Sequence, residues 1–324
     1  MKIFKKYLST IITLSILVVF GIYLFRNPEI VSQLLRINPI YMVLLILLYL
    51  LIIFVESLFI LLTLNVFSKG ISLKEGFYIT LLSRIGNYLL PMRAGAIFRA
   101  TYLKKKYNFK YTNFLSTLYG YYIIFFLTNS LLALVVLLLK WRLYSQVHTP
   151  LTIFLLSVSL SMFFLVFFRI PFQKILQKGG DVLKRIGNLS NNFFSGWRLI
   201  LRKKGLFLKL IILATLNILL NIVVVYIEFL SIDVVGNILD TTLYTTLSGL
   251  SLLISITPGS LGIREGIFLL TSNSIGLTEH EIFQIAILDR GVMFVLLLSS
   301  LLFISLFVKD FNLKEVYFGK KEKT

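Results

Sequence analysis

Six long apolar segments constrain this 324-residue chain more than any other feature of its sequence. A helix needs about 20 mostly apolar residues to cross a bilayer, so each segment is predicted to be a transmembrane helix. A water-soluble enzyme is excluded, because 57% of the residues are hydrophobic and only 15% are charged, against about 45–50% and about 25% in soluble domains. The segments are residues 7–25, 41–67, 114–139, 151–168, 206–230 and 282–308.

The basic residues between these segments predict the orientation of the chain. A net charge of +19 would suit a nucleic-acid partner if it formed one patch, but the charges alternate with apolar segments, so no nucleic acid is expected. Lys2, Lys5 and Lys6 precede the first segment, and ten basic residues lie between positions 169 and 209. The positive-inside rule places both regions in the cytoplasm. We therefore expect a multi-pass protein of the cell inner (cytoplasmic) membrane, with an uncleaved first helix and both termini cytoplasmic.

Two further apolar segments, residues 76–99 and 243–274, are interrupted. Each has a proline near its middle, Pro91 or Pro258, with glycines around it and an arginine beside it. Irregular backbone at membrane depth is tolerated only where protein or water satisfies its polar groups. Each segment is therefore predicted to be a re-entrant hairpin of two short helices. The expected fold is an all-α polytopic membrane protein with six transmembrane helices and two re-entrant broken-helix hairpins.

The order of these elements predicts an inverted repeat. Residues 1–140 give two helices, a hairpin at about 76–99 and a helix, and residues 141–324 give the same order from the opposite side, with a hairpin at about 243–274. Interrupted segments at matching positions in two halves point to a transport site. A basic amphipathic helix at about 181–204 is expected on the inner leaflet. Trp197 within it, and Trp141 on the outer side, are expected at the membrane interfaces.

Two arginines that follow the breaks are the first candidates for a substrate-binding site. Arg93 and Arg264 lie beside the starts of the second half-helices, where free backbone N–H groups and a guanidinium fork both suit a phosphate. The glycines Gly95, Gly259 and Gly262 would let the backbone approach a ligand closely. An alternative stays open, in which Arg264 pairs with Asp289 or Glu265 as a structural clamp.

Other polar residues inside apolar segments complete the candidate set. A charged side chain at a helix centre costs roughly 2.5–3.5 kcal/mol, so such residues usually face a partner or a cavity. Asp289 is predicted to pair with an arginine or to accept a headgroup amine, and Glu56 to neutralise an arginine, to carry a proton or to stay neutral. A stripe on one helix, Asn217, Asn221 and Glu228, is interpreted as interhelical hydrogen bonding. The predicted substrate-binding residues are Arg93, Arg264, Arg290, Glu265, Asp289, Glu56, Asn87, Gly95, Gly259 and Gly262.

Metal and cofactor chemistry has no support in the sequence. There are no cysteines, and the two histidines, His148 and His280, lie far apart without a metal-ligand spacing. No phosphate-binding loop, dinucleotide fingerprint or hydrolase motif is found. No metal, cofactor or catalytic residue is therefore expected.

Three stretches resemble a known family: NYLLPMRAG (87–95), TPGSLGIREG (257–266) and AILDR (286–290). They are similar to the transmembrane domain of lysylphosphatidylglycerol synthase/flippases, which also occurs alone as flippase-like membrane proteins. The resemblance implies binding or translocation of a membrane lipid with a phosphate headgroup. The family's synthases carry a soluble catalytic domain after the membrane part, and only 16 residues follow Val308 here. Lysyl transfer is therefore not expected.

The function predicted is translocation of an anionic, aminoacylated or polyprenyl-phosphate lipid between leaflets. Two alternatives stay open. One is a membrane-embedded transferase acting on lipid carriers, with Glu56, Glu265 or Asp289 as its base. The other is an accessory subunit that works with a separate glycosyl-lipid or aminoacyl-lipid transferase. The sequence does not specify an oligomeric state.

Overall fold

The fold is described here from a computed structural model. It describes residues 36–67, 70–90, 93–167, 181–203, 205–234 and 236–307, with residues 25, 28 and 32. The predicted first transmembrane helix, residues 7–25, lies outside the described residues except at its last position, and so do Pro91, Met92 and the C-terminal tail.

Within these ranges the protein is built from helices, with no strand. Two single 3₁₀ turns, Leu252–Ile254 and Pro258–Ser260, interrupt the later part of the chain. The eleven helices are α1 (Pro39–Leu64), α2 (Leu73–Leu89), α3 (Ala94–Tyr107), α4 (Tyr111–Tyr144), α5 (Thr149–Phe167), α6 (Asp181–Arg202), α7 (Leu206–Ser231), α8 (Ile238–Ser251), α9 (Ile263–Leu270), α10 (Ser272–Ile275) and α11 (Glu279–Phe307).

Five of these helices, α1, α4, α5, α7 and α11, are long and apolar enough to cross a membrane. They coincide with the five predicted transmembrane segments that fall in the described ranges. Many of their large apolar side chains are exposed on the outside of the bundle, among them Leu47, Leu138, Leu160 and Leu208. Such a surface is stable against lipid tails, whereas a water-soluble monomer rarely exposes one so extensive.

The first interrupted segment forms α2, a short break and α3. The two helices lie antiparallel, because Gly86 of α2 meets Gly95 of α3 near the break while the far ends are also bonded together. A Cβ atom on Gly86 would lie 2.8 Å from the Gly95 Cα, so only glycine permits this approach. At the break Leu90 is extended and Arg93 has a φ of 54°, a left-handed conformation that stops α2 from continuing into α3.

The second interrupted segment forms α8, the two 3₁₀ turns and α9. Gly259 and Gly262 both have positive φ, of 54° and 77°, where an L side chain would be strained. Pro258 begins the second turn and supplies no backbone N–H. Helix α8 therefore ends at Ser251, and a new helix starts at Ile263.

Helix α6 occupies Asp181–Arg202, within the range expected for an amphipathic helix. Its indole side chain, Trp197, is only 2% exposed, because it lies against Gly120 of α4, where a Cβ atom would meet the ring at 2.4 Å. The Ser116 hydroxyl of α4 donates to the Phe193 carbonyl of α6 at 2.7 Å. Trp197 therefore faces the protein interior, while Trp141 is exposed.

The free end of the α2–α3 hairpin is fixed by one carboxylate. Glu75 accepts hydrogen bonds from the Tyr102 and Tyr107 hydroxyls, both at 2.6 Å, and pairs with Lys106 at 2.9 Å. Burial raises the pKa of the Glu75 carboxyl, but these three donors together lower it more, so its pKa lies below the ordinary value. The ionised form is therefore the one that holds the hairpin end together.

This arrangement predicts a pH dependence of stability. Because the pKa is lowered in the folded state, the stabilisation by Glu75 is complete above the carboxyl's unfolded pKa and is lost as the pH falls through its folded pKa. Thermal unfolding in detergent between about pH 7 and about pH 3 is the measurement. We expect Glu75→Gln to have a lower melting temperature than the wild type at neutral pH. The difference between the two melting temperatures should become smaller in acid. A constant gap across the range would contradict the assignment.

Candidate functional site

A cavity of about 270 Å³ lies between the two interrupted segments and helices α1, α4, α7 and α11. Many charged side chains line this cavity, although the helices around it are mostly apolar. A buried charge is costly unless an opposite charge or hydrogen bonds compensate it. Its charged lining residues are Glu56, Arg84, Arg93, Arg99, Glu228, Arg264 and Asp289.

The structure brings six of the ten predicted site residues to this cavity. They are Glu56, Asn87, Arg93, Gly259, Arg264 and Asp289. The other four, Gly95, Gly262, Glu265 and Arg290, lie behind the lining and support it.

The Arg264 guanidinium is held by carboxylates. Its Nη2 lies 2.5 Å from Asp289 Oδ2, and its Nε lies 3.7 Å from Glu265 Oε1. The sequence left open whether Arg264 pairs with Asp289 or Glu265, and in the structure its shorter ion pair is with Asp289. This pairing joins α9 to α11 and neutralises the arginine on one wall of the cavity.

A second ion pair supports the turn before α9. Arg290 Nη2 lies 2.6 Å from Glu265 Oε1, and its Nη1 donates to the Gly259 carbonyl at 3.3 Å. Glu265 Oε2 also accepts the Gly262 N–H at 2.7 Å, which caps the start of α9. Glu265 and Arg290 thus fix the turn whose residue Gly259 lines the cavity.

On the opposite wall, Glu56 of α1 pairs with Arg84 of α2 at 3.2 Å. Asn87 lines the cavity one turn further along α2, and its Oδ1 is buried without a hydrogen bond among the described residues. Gly95 has a packing role, because a Cβ atom there would overlap the Ser83 carbonyl oxygen of α2.

Arg93 connects the two interrupted segments across the cavity. Its guanidinium donates to the carbonyl oxygen of Leu252, in the turn after α8, and lies 4.4 Å from the centre of the Tyr122 ring. Nearby, the Tyr88 hydroxyl of α2 donates to the Arg290 carbonyl of α11 at 3.0 Å. The two breaks therefore face each other, as expected for residues that share one site.

Arg99 is the functional candidate that sequence analysis missed. It lines the cavity from α3, is only 9% exposed and lies 5.4 Å from the Phe114 ring centre. No described carboxylate lies within ion-pair distance of it, and its Nε is buried without a hydrogen bond. The signal that identifies it is its position in the middle of α3, between the buried residues Phe98 and Tyr102.

The charges around the cavity are unequal. Arg84 and Arg264 are each paired with a carboxylate, whereas Arg93 and Arg99 have none within ion-pair distance among the described residues. A cavity with two uncompensated guanidinium groups favours an anion, and the planar forks of arginine match the oxygens of a phosphate. In the part of the chain that the structure describes, no cluster of histidine, aspartate or glutamate suits a metal ion.

The comparisons with known proteins give one family. The family model described as lysylphosphatidylglycerol synthase TM region matches residues 8–300, a range that includes every residue of the cavity lining. No curated protein and no solved structure matches the chain.

Proposed function

Because the chain belongs to the family of lysylphosphatidylglycerol synthase transmembrane regions, we propose that it binds a membrane lipid with a phosphate headgroup and moves it between leaflets. The lipid would be of the anionic, aminoacylated or polyprenyl-phosphate class. The observation that carries the proposal is Arg99, a buried guanidinium that lines a cavity without a carboxylate partner in the described ranges.

A buried arginine without a counter-ion destabilises a protein by several kcal/mol. An anion that enters the cavity removes this cost, so the headgroup phosphate would be bound by Arg99. Arg93 lies on the same cavity and has no carboxylate partner, so it would supply the second fork. Acyl chains would stay in the surrounding lipid, where the exposed leucines of the helices lie.

The movement between leaflets would follow from the expected arrangement of the chain. We place the α2–α3 and α8–α9 segments as re-entrant hairpins of an inverted repeat in the cell inner membrane, with both termini cytoplasmic. Rocking of one repeat against the other would then open the cavity to each leaflet in turn. The hydrogen bond from Arg93 to the Leu252 carbonyl joins the two breaks, so such a movement would have to break it.

The test is mass spectrometry of the lipids that the purified protein retains. The wild type is compared with an Arg93→Ala/Arg99→Gln double variant and with Lys106→Gln, which removes an exposed cation from the same helix as Arg99. We expect one phosphate headgroup class to be enriched in the wild type and in the Lys106 variant, and lost in the double variant.

Two results would contradict the proposal in different ways. Retention of the bulk membrane lipids by all three proteins would exclude a specific headgroup site and would favour an accessory subunit. Release of a modified lipid product by the purified protein would favour the membrane-embedded transferase instead.

A further inference from the structure

A second group of polar side chains meets at the far wall of the cavity. The Tyr49 hydroxyl of α1 contacts Glu228 Oε1 of α7 at 3.0 Å and also contacts Asp289 Oδ1 of α11. Glu228 is 1% exposed and Tyr49 is 4% exposed, so both side chains are buried. Two carboxyl groups therefore share one phenol oxygen in a buried place.

The number of hydrogens decides the charge of this group. A phenol hydroxyl has a single hydrogen, so Tyr49 donates to only one of the two carboxyl groups, and an ionised carboxylate only accepts. The other contact requires a hydrogen on a carboxyl oxygen. Asp289 is the ionised partner, because it pairs with Arg264 at 2.5 Å. Glu228 has no described cation within ion-pair distance, so a proton on Glu228, donated to the Tyr49 oxygen, would satisfy both contacts.

The groups that face Glu228 support this assignment. Among the described residues, the cation that faces it is Arg264 of α9, and that guanidinium is already engaged by Asp289. Helix α8 presents a second phenol, Tyr244, and helix α4 presents Tyr121 and Tyr122, which lie with the Glu56 group on the other wall. None of these phenols supplies a positive charge to a carboxylate at position 228.

We propose that Glu228 is a proton-binding site and that an anionic headgroup and a proton occupy the cavity together. The proposal rests on the proposed function. With Glu228 protonated, the cavity has two more arginines than ionised carboxylates, and release of the proton to water reduces this excess by one. The protonated state therefore attracts an anionic headgroup more strongly, and the proton and the lipid would move in the same direction. Glu228→Gln would keep position 228 uncharged at every pH, so the excess of arginines in the cavity would no longer depend on pH.

The first measurement detects the proton itself. Infrared spectra of the purified protein near neutral pH are recorded for wild type, Glu228→Gln and Glu56→Gln. We expect the carbonyl band of a protonated carboxylic acid in the wild type and in the Glu56 variant, because the Glu56 carboxylate lies in an ion pair with Arg84. The band should be missing from the Glu228 variant. A band unaffected by Glu228→Gln, or absent from the wild type, would overturn the proton site.

The second measurement tests the coupling. The protein is reconstituted in vesicles of phosphatidylethanolamine with labelled phosphatidylglycerol, with the membrane potential clamped. A difference of one pH unit across the bilayer should bias the label toward the more alkaline side by up to about tenfold for one proton per lipid. The distribution of label that Glu228→Gln reaches should be independent of the pH gradient, and a bias as large as that of the wild type would overturn the coupling.

The outcomes separate the two proposals. Movement of the label by the wild type with no bias at any gradient would overturn the coupling and leave the proposed function standing. If the wild type moves no label at any pH, the coupling fails and so does the proposed function for an anionic phospholipid, and the infrared band still decides whether Glu228 holds the proton.

Discussion

Replacing Asp289 with asparagine is expected to destabilise the protein by about 3–5 kcal/mol, the usual effect of breaking a buried ion pair from one side. The loss arises because Arg264 lies 2.5 Å from Asp289 and is itself enclosed, so its charge would be left without its main partner. Asparagine keeps the shape of the side chain and can still accept a hydrogen bond from Tyr49. The change therefore isolates the charge.

The measurement is denaturant unfolding of the purified protein in micelles. The matched control is Asp233→Asn, the same substitution at an exposed carboxylate in a turn whose left-handed φ asparagine tolerates, and its effect should stay within about 0.5 kcal/mol. Removing both charges with Arg264→Met/Asp289→Leu should recover most of the stability, because no charge then remains buried alone. Equal losses for the two asparagine variants would show that the ion pair contributes little.

Replacing Arg99 with glutamine is expected to weaken binding of a phosphate headgroup by about 10-fold to 150-fold. A hydrogen bond to a charged group contributes about 1.5–3 kcal/mol, and glutamine keeps a donor but loses the charge. The stability of the lipid-free protein should be unchanged or higher, since the substitution removes a buried charge that has no described counter-ion. The affinity for the headgroup should therefore fall without a loss of stability. If Arg99 had a purely structural role, its replacement would lower the stability as well.

Titration of short-chain phosphatidylglycerol into the delipidated protein measures this affinity. Lys106→Gln serves as the control, because Lys106 lies on the same helix but is 53% exposed and points away to Glu75. Its affinity should match that of the wild type. Equal weakening by both substitutions would indicate a general effect of positive charge and no specific contact by Arg99.

The apolar segments and the helix-breaking residues in the sequence were sufficient to predict most of the helices and both breaks. The five predicted transmembrane segments in the described ranges correspond to five apolar helices, and the family resemblance carried by TPGSLGIREG (257–266) is confirmed by the match over residues 8–300. The second break falls at Pro258, because proline and the positive-φ glycines Gly259 and Gly262 disfavour a continuous helix whatever surrounds them. The first falls between Leu89 and Ala94, inside the predicted interrupted segment. These are local effects, which a sequence displays directly.

The ion-pair and packing partners of individual side chains could not be predicted as well from the sequence. Arg264 has Glu265 beside it in the chain, yet its shortest ion pair is with Asp289, 25 positions away, because the packing of α9 on α11 decides the distance. Arg99 ends the predicted interrupted segment 76–99 and was not among the predicted site residues, because the sequence does not show that helix α3 continues to Tyr107 and places this side chain at a cavity. The burial of Trp197 could not be predicted either, because a sequence does not show that Gly120 of another helix leaves room for its ring.

The hydrogen bond between Arg93 and the Leu252 carbonyl links the occupation of the cavity to the conformation of the protein. The same guanidinium that would bind a headgroup is the one that ties the first break to the second. A phosphate bound by the N–H groups of this guanidinium would compete with that carbonyl, so filling the cavity would release the contact between the two interrupted segments. The protein would then be most rigid when empty and most able to rearrange when loaded. That order of events would avoid futile cycling without cargo.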